Sequence, residues 1–286
     1  MPTFSSYDGT TLAYHRLGEG RPLVCLPGGP AQASRHLGDL GGLSASRKLL
    51  LLDSRGSGDS AVPADPASYR CDRIVDDAEA LRAHLGLDRM DLLAHSAGAS
   101  VALLYATRFP HRLRRLVLVT PSLRLLLTAP LGMAEAHARR ADEPWYAEAT
   151  SAMEAWGEAM TRGADDTEIS PLRLAAAPFW YGEWTERARA HAAEQEKDRA
   201  PAPAAGFYAG IDVDRAALRG ALADVAVPTL VVAGALDAAP APEAVDELTG
   251  LLPKADLAML PHSSHFPFVD EPEAFAAAVE RFLAAG

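Results

Sequence analysis

Residues 92–100 read LLAHSAGAS, an apolar run that breaks into His95-Ser96 and continues as the helix-like stretch AGASVALLYATRF. Two readings compete for Ser96. As an N-cap, its hydroxyl would accept a hydrogen bond from the first helical turn. A capping box would then place Glu or Gln at position 99, which is Ala99, and Gly98 would weaken the opening turn by about 1 kcal/mol relative to alanine. As a nucleophile on a sharp strand-to-helix turn, Ser96 needs small residues two positions before and after it. Ala94 and Gly98 stand there, so this reading accounts for residues that capping leaves unexplained.

Outward from this turn, short apolar runs alternate with helical patterns. PLVCLPGG (22–29), RKLLLLDSRG (47–56), MDLLAHSAG (90–98) and LRRLVLVTP (113–121) read as strands, with helices near 72–86 and 98–109. Continuous apolar strands separated by helices predict a parallel sheet covered on both faces, an α/β architecture. At the start, TFSSYDG and TTLAYHRLG carry Asp8-Gly9 between two β-prone runs, which predicts an antiparallel hairpin at the sheet edge and makes the sheet mixed. From about 122 to 220 the character changes to Ala, Glu, Arg, Trp and Met at helical spacing, without a strand. The alternation then resumes with VPTLVVAGALD, a helix near 242–252, ADLAMLPHSSH and the amphipathic PEAFAAAVERFLAAG. The expected organisation is a core of residues 1–121 and 221–286 interrupted by an inserted helical cap, 122–220. The Ala-rich stretches at 201–205 and 238–244 read as loops.

A nucleophilic serine needs a base, and the base needs an orienting carboxylate. Asp237 lies at the tip of VVAGALD, and PHSSH ends the next strand with His262 and His265 as candidate bases. An oxyanion formed at Ser96 needs two donors. One is the Ala97 N–H at the helix start. The other comes from the loop Pro27-Gly28-Gly29-Pro30, and since Pro30 has no N–H the choice falls on Gly29.

Bulk properties narrow the function. With 286 residues, 49% of them hydrophobic, the chain can bury one large core. Its net charge of -11 argues against a nucleic-acid partner. The pairs Arg114-Arg115 and Arg139-Arg140 read as solvated faces. The N-terminus lacks the basic start and apolar segment of a signal peptide, and no window approaches transmembrane length, so a cytoplasmic protein without membrane attachment is expected. Cys25, in an apolar run, and Cys71, in a polar loop, read as structural thiols. Gly56 to Ala61 matches the dinucleotide pattern G-x-G-x-x-A with Asp76 about 20 residues on, but VPADPAS follows, and its two prolines exclude the helix that a pyrophosphate requires. Histidines are scattered without ligand spacing. Neither cofactor nor metal is expected.

Ala94-His95-Ser96-Ala97-Gly98, Gly28-Gly29-Pro30 and Asp53-Ser54-Arg55-Gly56-Ser57-Gly58-Asp59-Ser60 carry a family resemblance. Over nearly its whole length the chain resembles the α/β-hydrolase superfamily, and within it the HGGPG and DxRGxGxS motifs of the proline iminopeptidases and their relatives. Pro27 stands for the His of the first motif, Ala31 for its last Gly, and Ala97 for a Trp that commonly follows the nucleophile. The resemblance implies the order Ser96, Asp237, His265, and favours His265 over His262 because an aromatic residue, Phe266, and the last helix follow it. It also implies that acidic cap residues hold a substrate amine. In Trp180-Tyr181-Gly182-Glu183-Trp184-Thr185-Glu186, either Glu183 or Glu186 fits, with Trp180 beside them, although a solvated helix face explains both acids. Trp145, Ala149, Met153, Trp156 and Met160 recur at helical spacing, as cap packing or, at Trp156, as a substrate-facing wall. The expected function is a cofactor-independent serine hydrolase acting through an acyl-enzyme on a small ester, lactone or amide, including a short peptide with a free amine. The alternatives are a carboxylesterase or lactonase that is not a peptidase, and a hydrolase-fold binding protein without turnover.

Overall fold

The computed structural model describes residues 1–128 and 132–285, so residues 129–131 of the expected cap lie outside the described residues. The strands are β1 (Thr3–Ser5), β2 (Thr11–Leu17), β3 (Arg21–Leu26), β4 (Arg47–Leu52), β5 (Met90–His95), β6 (Leu113–Val119), β7 (Thr229–Gly234) and β8 (Ala255–Leu260). They form one sheet in the order β1-β2-β4-β3-β5-β6-β7-β8. The β1–β2 and β2–β4 pairings are antiparallel, with Phe4 opposite Leu12 and His15 opposite Leu51; the remaining pairings are parallel. The chain thus has the α/β-hydrolase fold, with the mixed edge that the Asp8-Gly9 turn predicts.

The helices are α1 (Cys71–His84), α2 (Gly98–Arg108), α3 (Met133–Ala138), α4 (Tyr146–Thr161), α5 (Asp166–Ala176), α6 (Glu186–Lys197), α7 (Pro201–Gly206), α8 (Arg215–Ala223), α9 (Pro242–Leu251), α10 (Pro267–Asp270) and α11 (Pro272–Ala284). The apolar strands bury both faces because side chains alternate along them. Val24, Leu50, Leu92, Leu118 and Val231 join α1, α2, α8 and α9 in one cluster. Their neighbours Cys25, Leu51, Leu93, Val117 and Val232 join α11 and Tyr181, Ala188 and Ala192 of the insertion in the other.

Several expectations need correction. Residues 201–205 lie in α7 and are not a loop; Pro201 at its first position, where no N–H is needed, starts the turn. Helix α8 crosses the expected boundary at 220, and Leu218 and Leu222 bury into the cluster of α2, so it packs as part of the core. Cys71 is the buried first residue of α1 and does not lie in a polar loop. The arginine pairs are not uniformly solvated. Arg115 is buried and bonds the Ala285 carbonyl, Arg114 pairs with buried Asp91 at 2.6 Å, and buried Arg140 donates to the Tyr181 and Gly182 carbonyls at 3.0 and 2.9 Å. No helix among the described residues is long and apolar enough to cross a membrane.

Candidate active site

The chain order turns back between β3 and β5, and the loops leaving their carboxyl ends meet there, the place where open α/β sheets bind ligands. Ser96 follows β5 directly and has φ +50°, a conformation that L-residues seldom adopt. The surroundings hold it there. A Cβ on Gly28 would stand 2.8 Å from that of Ser96, and one on Gly98 would stand 2.5 Å from the Pro27 carbonyl oxygen. Only glycine lets the β3 loop and the start of α2 close around the serine.

Ser96 Oγ lies 2.8 Å from His265 Nε2, and His265 Nδ1 lies 2.9 Å from Asp237 Oδ2. Asp237 is fully buried, and its other oxygen accepts the Ala239 N–H at 2.9 Å. With Nδ1–H donating its hydrogen bond to this carboxylate, Nε2 is free to accept from the serine hydroxyl. His262, the rival base, is exposed. The N–H groups of Gly29 and Ala97 have no acceptor among the described residues, and both residues line the same cavity as Ser96 and His265.

Two residues that the sequence did not single out hold the backbone of His265. His95 Nε2 and Thr120 Oγ1 each donate to the His265 carbonyl at 3.0 Å. Thr120 does so from φ +41°. Burial, and then the neighbouring rings of His265 and His36, push the His95 pKa well below the ordinary imidazole value, so it acts as a neutral donor. The histidine preceding Ser96 was the available signal.

The segment Trp180 to Glu186 has another role than the expected one. Ser264 Oγ donates to the Phe179 carbonyl at 2.9 Å, the His265 N–H to the Trp180 carbonyl at 3.0 Å, and the Gly182 N–H to Asp270 Oδ2 at 2.9 Å. A Cβ on Gly182 would fall 1.7 Å from the His262 carbonyl oxygen. Residues 177–182 are therefore a strap lashed to the His265 loop. Glu183 and Glu186 are exposed and do not line the cavity: Thr185 caps α6, which leaves Glu186 in its first turn facing solvent, where the helix dipole favours an acid. Trp180 and Trp156 do line the cavity. Of the other stripe residues, Trp145 packs on Phe179 at 5.0 Å between ring centroids, Ala149 is buried, and Met160 is 58% exposed.

The Asp53 to Ser60 stretch is a brace. Buried Asp53 accepts from Ser34 N and Oγ at 2.8 and 2.7 Å, from Asp59 N at 2.9 Å and from His15 Nε2 at 3.0 Å, which fixes the loop that continues from Gly29. Arg55, fully buried, pairs with Asp77 and with Asp8 at 2.7 Å. No α-helix opens between Gly58 and Arg70. The fold does bring His15, Asp53 and Asp59 together, although their spacing in sequence gives no sign of it.

The α/β hydrolase fold model matches residues 21–272. The chain belongs to the α/β-hydrolase family. It is 26% identical to a proline iminopeptidase of Heyndrickxia coagulans, over 93% of this chain and 91% of the relative. It is 29% identical to a proline iminopeptidase of Levilactobacillus brevis, over 92% and 88%. Among solved structures, an esterase from Rhodococcus sp. ECU1013 superimposes with a TM-score of 0.76 at 25% identity, covering 99% of this chain and 98% of the esterase. This member of the family encloses a cavity of about 440 Å³ above Ser96.

Proposed function

We propose that this α/β-hydrolase is a serine hydrolase that cleaves small carboxylic esters, lactones or amides through an acyl-enzyme. The observation that carries the reading is the unbroken chain from Asp237 through His265 to Ser96 at 2.9 and 2.8 Å, with the serine held at φ +50°. Ser96 Oγ attacks the carbonyl carbon while its proton passes to His265 Nε2. The buried Asp237 carboxylate stabilises the imidazolium. Negative charge on the carbonyl oxygen is met by the Gly29 and Ala97 N–H groups. Collapse breaks the bond to the leaving group, which departs with the proton from His265. Water, deprotonated by the same imidazole, then cleaves the acyl-serine bond to release the acid and free Ser96. In this reading residues 122–220 act as a cap that encloses the substrate, with Trp156 and Trp180 as walls.

A second reading, an aminopeptidase, is favoured by the two proline iminopeptidase relatives. The cavity weighs against it, because Glu196, its only acidic lining residue among those described, is bound to Arg173. The test is hydrolysis of 4-nitrophenyl butyrate and prolyl 2-naphthylamide by wild type and Ser96→Ala, with fluorophosphonate labelling of both. Wild type turns over at least the ester and is labelled at Ser96, and the variant loses at least about a thousandfold in kcat and all labelling. Equal rates in the two proteins would overturn the proposal.

A further inference from the structure

The charge lining the cavity runs opposite to the charge of the chain. The protein carries 38 acidic and 27 basic side chains, yet among the described residues the cavity and the hollow adjoining it present Arg124, Arg173 and Arg199 against Glu196 and Asp166. Ala192, Gln195 and Glu196 line the cavity from the last turns of α6, and Arg199 lines it from the chain just past the end of that helix. Arg173 uses up the nearby acids. Its Nε donates to both Glu196 oxygens at 3.2 Å, and another guanidinium nitrogen reaches Asp166 Oδ1 at 2.7 Å.

That leaves two cations without a direct ion pair, Arg199 in the cavity wall and the exposed Arg124. Arg199 and Arg124 have no carboxylate within ion-pair distance among the described residues. The one hydrogen bond of the half-buried Arg199 is a long one, 3.4 Å, to the carbonyl of Gly29, the residue whose N–H lies beside Ser96. Arg124 is oriented by stacking 4.7 Å over the Tyr208 ring, whose hydroxyl is fixed by Ser100 and Ser122 at 2.8 and 3.2 Å. Elsewhere buried arginines are matched, as at Arg47 with Glu280 and Arg55 with Asp77. A guanidinium taken partly out of water without an acid is an anion site, and its planar fork suits a carboxylate.

We infer that the substrate carries a carboxylate: Arg199, with Arg124 at the outer wall, binds it while the scissile carbonyl sits at Ser96. The chemical class is a half-ester of a dicarboxylic acid, or a lactone or ester bearing a free acid, and hydrolysis of the half-ester would release a dicarboxylate and an alcohol. An α-ammonium group would meet uncompensated positive charge there. The inference rests on the serine hydrolase reading for its chemistry, but the binding half can be measured without turnover.

Matched esters separate the possibilities: mono-4-nitrophenyl glutarate against 4-nitrophenyl pentanoate, and 4-acetoxybenzoate against phenyl acetate, which place the carboxylate on the acyl or the leaving side. In wild type, kcat/KM for one charged ester exceeds that of its neutral partner by about tenfold or more, the advantage shrinks with added salt, and it falls by about tenfold in Arg199→Gln. Separately, glutarate raises the melting temperature of wild type and not that of Arg199→Gln. Equal rates for charged and neutral esters, together with no shift by glutarate, would overturn the inference and leave the hydrolase standing. Prolyl 2-naphthylamide as the best substrate would overturn it too. Glutarate stabilisation without turnover or labelling of Ser96 would uphold the anion site and sink the hydrolase reading.

Discussion

At Ser96 the backbone carries the strain, and the neighbouring side chains are sized to permit it. Glycine at the start of an exposed helix is ordinarily a cost, and Gly98→Ala would be expected to gain about 1 kcal/mol from helix propensity. Here the added methyl would sit 2.5 Å from the Pro27 carbonyl, so the sign reverses. Gly98→Ala should lose about 2 kcal/mol in thermal or urea unfolding and most of the hydrolytic activity; a stabilised, active variant would show that the elbow has room. The same steric logic made the site readable, since a serine flanked by Ala94 and Gly98 is over-specified for a helix cap. The Thr120 donor was not readable, because it acts through the main-chain carbonyl of His265 and a carbonyl acceptor leaves no trace in sequence; His95 was visible only as the residue before Ser96, without its partner. Glu196 was not singled out, because it lies a full helix away from Trp184 in sequence and only the course of α6 brings it to the cavity.

Among the elements, α10 and the strap show how a site can be held by a group that does no chemistry. Asp270 accepts the N–H groups of Gly182 and Ser264, each at 2.9 Å on one oxygen, and burial raises its pKa to about 6 despite those bonds. The folded protein therefore holds the Asp270 proton more tightly than the unfolded chain, whose value is near 3.8. This contribution to stability is complete below about pH 4 and is lost as pH rises through about 6. Asp270→Asn, with its amide oxygen placed to accept both bonds, removes the titration. The melting temperature of the variant relative to wild type should climb between pH 4 and 6 and then level off. A difference that stays flat, or that falls, would contradict the burial of this carboxyl. The elements themselves were legible wherever apolar period was strong, as in the strands and α11; α7 was missed because Pro-Ala-Pro-Ala composition looks like a loop until its packing against residues 66–69 is known.

For the molecule as a whole, the mixed sheet and the break after β6 could be read from alternation and composition, because burying both faces of a parallel sheet demands continuous apolar strands. The division at 220 could not, because α8 looks like the insertion in composition and like the core in packing. The strap sets how the two parts can move. Since residues 177–182 are bonded to the loop bearing His265, lifting the insertion away as one piece is expected to pull His265 from Ser96. Helices α4 and α5 instead pack on each other and, through fewer contacts, on the strap and α6, away from the sheet. On this packing any opening is expected in that outer pair, about a fixed inner edge, and the two edges should keep different clocks. In amide hydrogen exchange the Gly182 and His265 positions should protect far longer than the exposed turns of α4, by about a hundredfold or more; uniform exchange across the insertion would mean that entry and catalytic alignment are a single event.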